Sequence, residues 1–161
     1  YCGVMRIRTG DVSAPAERAL LDDYFAYRAE AFPTAGGYSV TYPDPAAFEP
    51  PAGVFLAVED DAGVAVGCGG IRMLPSPEAE AVRYEVKHVW IDPAARSHGW
   101  ATELLLDLER RARALGATEL VLDTHHTLEA AGRLYSRLGY LPATPYNTNP
   151  NATRWYRKPL A

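Results

Sequence analysis

The segment Arg96-Ser97-His98-Gly99-Trp100-Ala101 has the residue types and spacing best suited to chemistry on a charged ligand. A β-like run ends at Ile91, Asp92-Pro93 turns the chain, and a short loop delivers Gly99 to the mouth of a long helical pattern. The first N–H groups of a helix have no partner within it and lie at the positive end of its dipole, so such a junction can cradle a phosphate or pyrophosphate. Gly99 lets the backbone come close to a phosphate oxygen, Ala101 keeps the next turn small, and Arg96 and His98 add side-chain donors. A strand, turn and glycine of this kind also serve as a plain structural connection, so local physics leaves both readings open.

Other motifs carry less. Gly67-Cys68-Gly69-Gly70 resembles a nucleotide loop only in glycine content; no helix follows it, and a close backbone approach or a bulge in a strand fits better. His88, His98 and the adjacent His125-His126 show no HxxxH or HExxH spacing, so no metal is expected. Neither the GxSxG elbow nor the Walker pattern occurs. Cys2 and Cys68 stand far apart without a CxxC, so no disulfide framework is expected and the sequon at Asn151 reads as accidental.

The elements that must position the Gly99 segment follow from hydrophobic period. Residues 4–9 read as a strand, and Ser13 with Pro15 opens an amphipathic helix running to Ala31. Residues 33–53, rich in Pro, Gly and Tyr, read as an irregular loop with a helical turn near 45–48, the kind of segment that covers a substrate. Residues 54–59, 64–74 and 84–91 give three antiparallel strands, the first two joined by the hairpin signal Asp60-Asp61-Ala62-Gly63. Residues 99–115 carry Ala101, Leu104, Leu105, Leu108, Ala112 and Leu115 on one helical face, and Gly116 ends that helix. A buried-type strand at 119–123, a helix from Thr127 to Leu138 and a final strand at 153–158 complete the chain.

The expectation is one domain over residues 1–161, of mixed α/β class: a twisted, mainly antiparallel sheet flanked by helices. A net charge of −4 argues against a nucleic-acid partner, because neutralising phosphates takes a surplus of Lys and Arg. No window approaches the roughly 18 apolar residues of a membrane span. With no basic-then-apolar leader either, a cytoplasmic setting is expected.

Two motifs together resemble the GNAT superfamily of N-acetyltransferases. The stretch from Ile91-Asp92-Pro93 through Arg96-Ser97-His98-Gly99-Trp100-Ala101 is similar to its V-x-P, [QR]-x-x-G-x-[GA] signature, and Ala131-Gly132-Arg133-Leu134-Tyr135-Ser136-Arg137-Leu138-Gly139-Tyr140 to its A-x-x-L-Y-x-x-x-G-[FY] segment. Tyr84-Glu85-Val86-Lys87 and Tyr146-Asn147-Thr148-Asn149-Pro150 also look like features of one bacterial branch, so the resemblance covers roughly residues 54 to 160. It implies that Arg96, Ser97, His98, Gly99, Trp100, Ala101 and Thr102 bind the pyrophosphate of acetyl-CoA, and that Val89, Trp90 and Ile91 meet the pantetheine arm along a splayed strand edge. It also implies that Tyr135 protonates the departing thiolate. One departure from the family pattern is Leu128, where many members place an Asn that touches pantetheine.

Attack of a neutral amine on a thioester needs a base, a polarised carbonyl and an acid. Glu85 is the candidate base and His88 the second choice; Glu85 and Lys87 share a strand face, so an ion pair there is the competing role. Tyr38, Tyr42, Tyr146, Trp155 and Tyr156 are candidates to line an acceptor pocket, with Asp44 and Glu49 to attract a cationic amine. The expected activity is acetyl transfer to a small-molecule primary amine. The alternatives are acetylation of a protein N-terminus or lysine, and a non-catalytic CoA-binding sensor; a homodimer is left open.

Overall fold

Runs of apolar residues with period two, buried on both faces, build a sheet with helices on either side. The computed structural model describes residues 3–160; Tyr1, Cys2 and Ala161 lie outside the described residues. Strands β1 (Arg6–Thr9), β2 (Gly53–Glu59), β3 (Ala65–Leu74), β4 (Arg83–Ile91), β5 (Glu119–Thr124), β6 (Leu141–Pro142) and β7 (Arg154–Pro159) form one seven-stranded sheet, ordered β1-β2-β3-β4-β5-β7-β6. Every neighbouring pair is antiparallel except β4 with β5. The helices are α1 (Pro15–Ala31), α2 (Trp100–Ala114) and α3 (Glu129–Arg137), and a 3₁₀ turn, Pro45–Phe48, interrupts the loop before β2.

The alternation along β2 divides the core in two. Val54, Leu56 and Val58 join Leu104, Leu105 and Leu108 of α2 in one cluster, while Phe55 joins Leu20, Leu21 and Phe25 of α1 in the other. Full burial of a large apolar side chain stabilises by about 1.5–3 kcal/mol, so these two faces fix which helix lies on which side. No helix among the described residues is long and apolar enough to cross a membrane.

Local chemistry moves some element boundaries. Helix α1 begins at Pro15, and the Ser13 hydroxyl donates to Asp11 at 2.6 Å rather than capping the helix. Helix α3 begins at Glu129 rather than Thr127, whose hydroxyl is tied to His125 Nδ1 at 2.7 Å. The two-residue β6 was not expected; it pairs with β7 at Leu141 and Pro142.

Candidate functional site

The glycines of β3 explain how β4 is shaped. A Cβ on Gly67 would come within 2.5 Å of Ile91 Cδ1, and one on Gly70 within 2.7 Å of the Phe48 ring, so both positions require close approach. Opposite Gly69 the ladder slips: Cys68 pairs with Trp90, yet Gly70 pairs with Lys87, which leaves one extra residue on β4. His88 absorbs that bulge with φ 58°, a left-handed conformation uncommon for a residue with a side chain.

Before the bulge is reached, β4 has already left β5. Their parallel pairing runs only from Arg83 with Glu119 to Glu85 with Val121, and the sheet then splays. The Asp92 N–H bonds to Val66 O at 2.8 Å, and by alternation the Trp90 main-chain groups also face β3. The main-chain groups of Ile91 face the open side, where the carbonyl accepts from Arg96 Nε at 2.8 Å. The splay opens a cleft of about 840 Å³ walled by α1, β4, β5, α3 and the loop before β2, with Val89, Trp90, Ile91, His88 and Tyr135 in its lining.

A second cavity of about 330 Å³ lies at the start of α2, lined by Ser97, Gly99, Trp100, Ala101 and Thr102 together with Arg133 and Arg137 of α3. Ser97 (φ 74°) and Gly99 (φ 75°) are both left-handed, the alternation that turns successive N–H groups into a concave nest. Gly99 is the N-cap of α2, and a Cβ there would meet nothing within 4 Å, so open space faces the helix end. Trp100 is buried and fixes this turn, with the His98 ring packed on it at 4.9 Å between centroids. Ile91, Arg96, Ala101, Arg133 and Leu134 line both cavities, which makes them one continuous site.

Arg96 reaches toward the cleft as well as the nest: its guanidinium lies 4.9 Å from the Tyr27 and Trp90 ring centroids. Arg133 and Arg137 escaped the sequence reading, although two arginines four apart on one helix were visible there.

Tyr135 is buried, and burial raises its hydroxyl above the ordinary tyrosine range, so it is protonated at neutral pH. His88 packs against Tyr24, Phe25 and Phe48, its Nδ1 has no partner among the described residues, and burial, assisted by Lys87 and Arg72, pushes its pKa down to about 3. Asp123 accepts from Asn147 at 2.7 Å and Asn149 at 3.1 Å, with Lys87 Nζ at 3.5 Å. Burial alone would raise Asp123, but these partners outweigh it and hold the carboxyl below its usual range.

Glu85 differs from expectation. It is fully buried: Arg72 bonds Oε1 at 2.8–2.9 Å, and the Tyr146 hydroxyl donates to Oε2 at 2.5 Å. Glu85 is absent from the cleft lining, and Lys87, the partner its strand face suggested, pairs with Asp123 instead.

The aromatic and acidic candidates separate in the same way. Tyr38 and Tyr42 line the cleft, while Tyr146 serves Glu85, Tyr156 is core, and Trp155 Nε1 donates to Asn147 at 2.9 Å. Asp44 lines the cleft but caps the 3₁₀ turn by accepting from Ala46 N, and Glu49 is outside the lining. The sequon residue Asn151 is buried, with its amide bonded to Ser39 N and O at 3.0 and 2.7 Å. No group of three or more His, Cys, Asp or Glu side chains among the described residues could hold a metal.

The chain belongs to the Acetyltransferase (GNAT) family, whose sequence model matches residues 17–140. It is 31% identical over 103 residues to an uncharacterised N-acetyltransferase of Schizosaccharomyces pombe, spanning 64% of this chain and 61% of that one. It is 33% identical over 101 residues, 61% of this chain and 63% of the relative, to an IAA acetyltransferase of Azospirillum brasilense. The matched regions thus span less than two thirds of either relative. A crystal structure of a protein assigned as an acyl-CoA N-acyltransferase from Klebsiella pneumoniae superposes with a TM-score of 0.76 at 28% identity, covering 98% of this chain and 99% of that one.

Proposed function

We propose that this chain transfers an acetyl group from acetyl-CoA to the primary amine of a small molecule. The observation that carries this reading is the parting of β4 from β5 beyond Glu85 and Val121, which turns a main-chain edge toward a cleft continuous with the nest at α2. The empty space at Gly99 and the arginines opposite suit a pyrophosphate, so Ser97, His98, Gly99, Trp100, Ala101 and Thr102 with Arg133 and Arg137 are assigned to the cofactor's phosphates. Val89 and Ile91 offer the edge along which a pantetheine arm can lie as an added strand; Trp90 contributes its indole, since its main chain belongs to the ladder.

Acetyl-CoA supplies the thioester. The amine nitrogen forms the new C–N bond as the C–S bond breaks, the sulfur takes the Tyr135 proton, the nitrogen's surplus proton leaves to solvent, and Tyr135 regains a proton from solvent to close the cycle. Glu85 is assigned to anchoring Arg72 at the cleft wall, because both its oxygens are engaged. Deprotonation of the ammonium is assigned to water before attack: Arg28 lines the cleft without a carboxylate partner among the described residues and disfavours a second cation there. A cytoplasmic setting suits such an enzyme, since acetyl-CoA is available there.

The test joins thiol release, followed with acetyl-CoA and a panel of amines and peptides, to acetyl-CoA affinity by calorimetry. Gly99→Glu places a carboxylate against the bound phosphates and is expected to weaken that affinity at least about 100-fold, given about 4 kcal/mol between like charges near a protein surface. Retained affinity would remove the nest from the site. Binding without turnover on any amine or peptide would favour a CoA sensor.

A further inference from the structure

We infer that the acceptor carries a carboxylate beside its amine, as a free amino acid does, and that Arg28 binds that carboxylate; this rests on the acetyl-transfer reading above. The cations Arg28, Arg72, Lys87, Arg96 and Arg133 line the cleft. Arg72 is held by Glu85 at 2.8 Å and Lys87 by Asp123 at 3.5 Å. Arg96 is pinned on the Ile91 carbonyl, and Arg133 lies at the end shared with the phosphate nest.

Arg28 is different. Among the described residues no carboxylate lies within 4.0 Å of it, and its partners are neutral: Nη1 donates to the Tyr24 hydroxyl at 3.1 Å and Nη2 to the Asn151 carbonyl at 3.4 Å. The guanidinium lies 5.1 Å from the Tyr38 ring centroid. These contacts hold a half-buried cation in place without neutralising it, and three of the five guanidinium N–H groups make no hydrogen bond among the described residues. A planar fork with free donors matches a carboxylate in two-point geometry. Asn151 is itself fixed by two bonds to Ser39, so the arginine is positioned before any ligand arrives.

The position is also right for an acceptor rather than for the cofactor's phosphates. Tyr24, which holds Arg28, packs edge-on against His88 at the β4 bulge, with ring centroids 5.7 Å apart. Arg28 and Tyr135 also line the same cleft. The acids of the cleft, by contrast, are occupied or peripheral. Asp123 is covered by Lys87 and two amides, Asp44 caps a turn, and Glu129 is exposed in the first turn of α3. A polycationic acceptor would therefore find repulsion where a zwitterionic amino acid finds a partner, the reverse of what Asp44 and Glu49 suggested in the sequence.

The test measures thiol release with acetyl-CoA against the twenty common L-amino acids, their carboxamides and the corresponding decarboxylated amines. At least one free amino acid is expected to exceed its carboxamide and its amine by about 30-fold or more in kcat/KM, the range of a hydrogen-bonded charge pair left without its partner. Arg28→Gln should raise KM for that amino acid and collapse its preference over the carboxamide to within about fivefold, with KM for acetyl-CoA unmoved; Arg28→Met supplies a second variant of similar length. Amines lacking a carboxylate that react as well as amino acids would overturn the inference alone and leave the acetyltransferase standing. An unchanged acid-to-amide ratio in a folded Arg28 variant would overturn it as well. No turnover with any of these compounds would sink the inference together with the small-molecule reading.

Discussion

His88 is expected to make this protein acid-labile well before its carboxylates protonate. The unfolded chain takes up a proton on this imidazole near pH 6.5, while the folded protein resists until about pH 3. Between these values the unfolded state binds the extra proton, so stability is full above pH 6.5 and falls as the pH drops through the window, at up to about 1.4 kcal/mol per pH unit. The cause is packing: Tyr24 and Phe25 from α1 and Phe48 from the 3₁₀ turn enclose the ring, Nδ1 has no partner among the described residues, and Lys87, Arg72 and Arg28 add positive charge that Asp123 only partly offsets. The perturbation is His88→Asn, chosen because Asn tolerates the φ of 58° better than most residues and does not titrate here. Urea unfolding at pH 7.0, 5.5 and 4.5 should show wild type losing about 2–3 kcal/mol more than the variant across that range. The comparison is of slopes, so any fixed cost of the substitution cancels. Parallel slopes would refute the reasoning and mean that the imidazole is protonated in the folded protein.

Two further outcomes separate chemistry from architecture around the cleft. Tyr135→Phe is expected to lower kcat by about 100-fold with KM for acetyl-CoA unchanged, the loss typical of one general acid; unchanged turnover would remove that role. Glu85→Gln should cost about 2–3 kcal/mol in unfolding free energy, toward the low end for a broken buried pair because Arg72 is 40% exposed, and leave kcat within about threefold. A drop in kcat of about 100-fold in folded Glu85→Gln would restore Glu85 as the base.

Much of the fold was legible because its signals are local. The six-residue apolar stripe of α2, the hairpin at Asp60-Asp61-Ala62-Gly63 and the stop at Asp92-Pro93 are each written within a single turn of chain or a single face. The Gly99 segment was legible for the same reason, since an unpaired helix N-terminus is a property of backbone that glycine permits. The boundaries of α1 and α3 were less so, because Ser13 and Thr127 have side chains that could cap a helix or bond elsewhere, and here both bond elsewhere.

By itself the sequence determined which strands alternate, where a glycine opens the junction into a long helix at Gly99, and that Tyr135 follows Leu134 in a helical pattern. Only the tertiary structure decided what the charged residues do. Glu85, Arg72, Tyr146, Lys87 and Asp123 come from four distant stretches, and their pairing depends on the register of β3 with β4 and on where β4 leaves β5. A one-residue bulge at His88 follows that departure and resets the register with β3, and period-two patterning does not encode an inserted residue. Arg28 stands out for the same reason: a sequence shows that a cation exists, and packing alone shows that Glu85 claims Arg72 and Asp123 claims Lys87 while Arg28 meets only neutral groups.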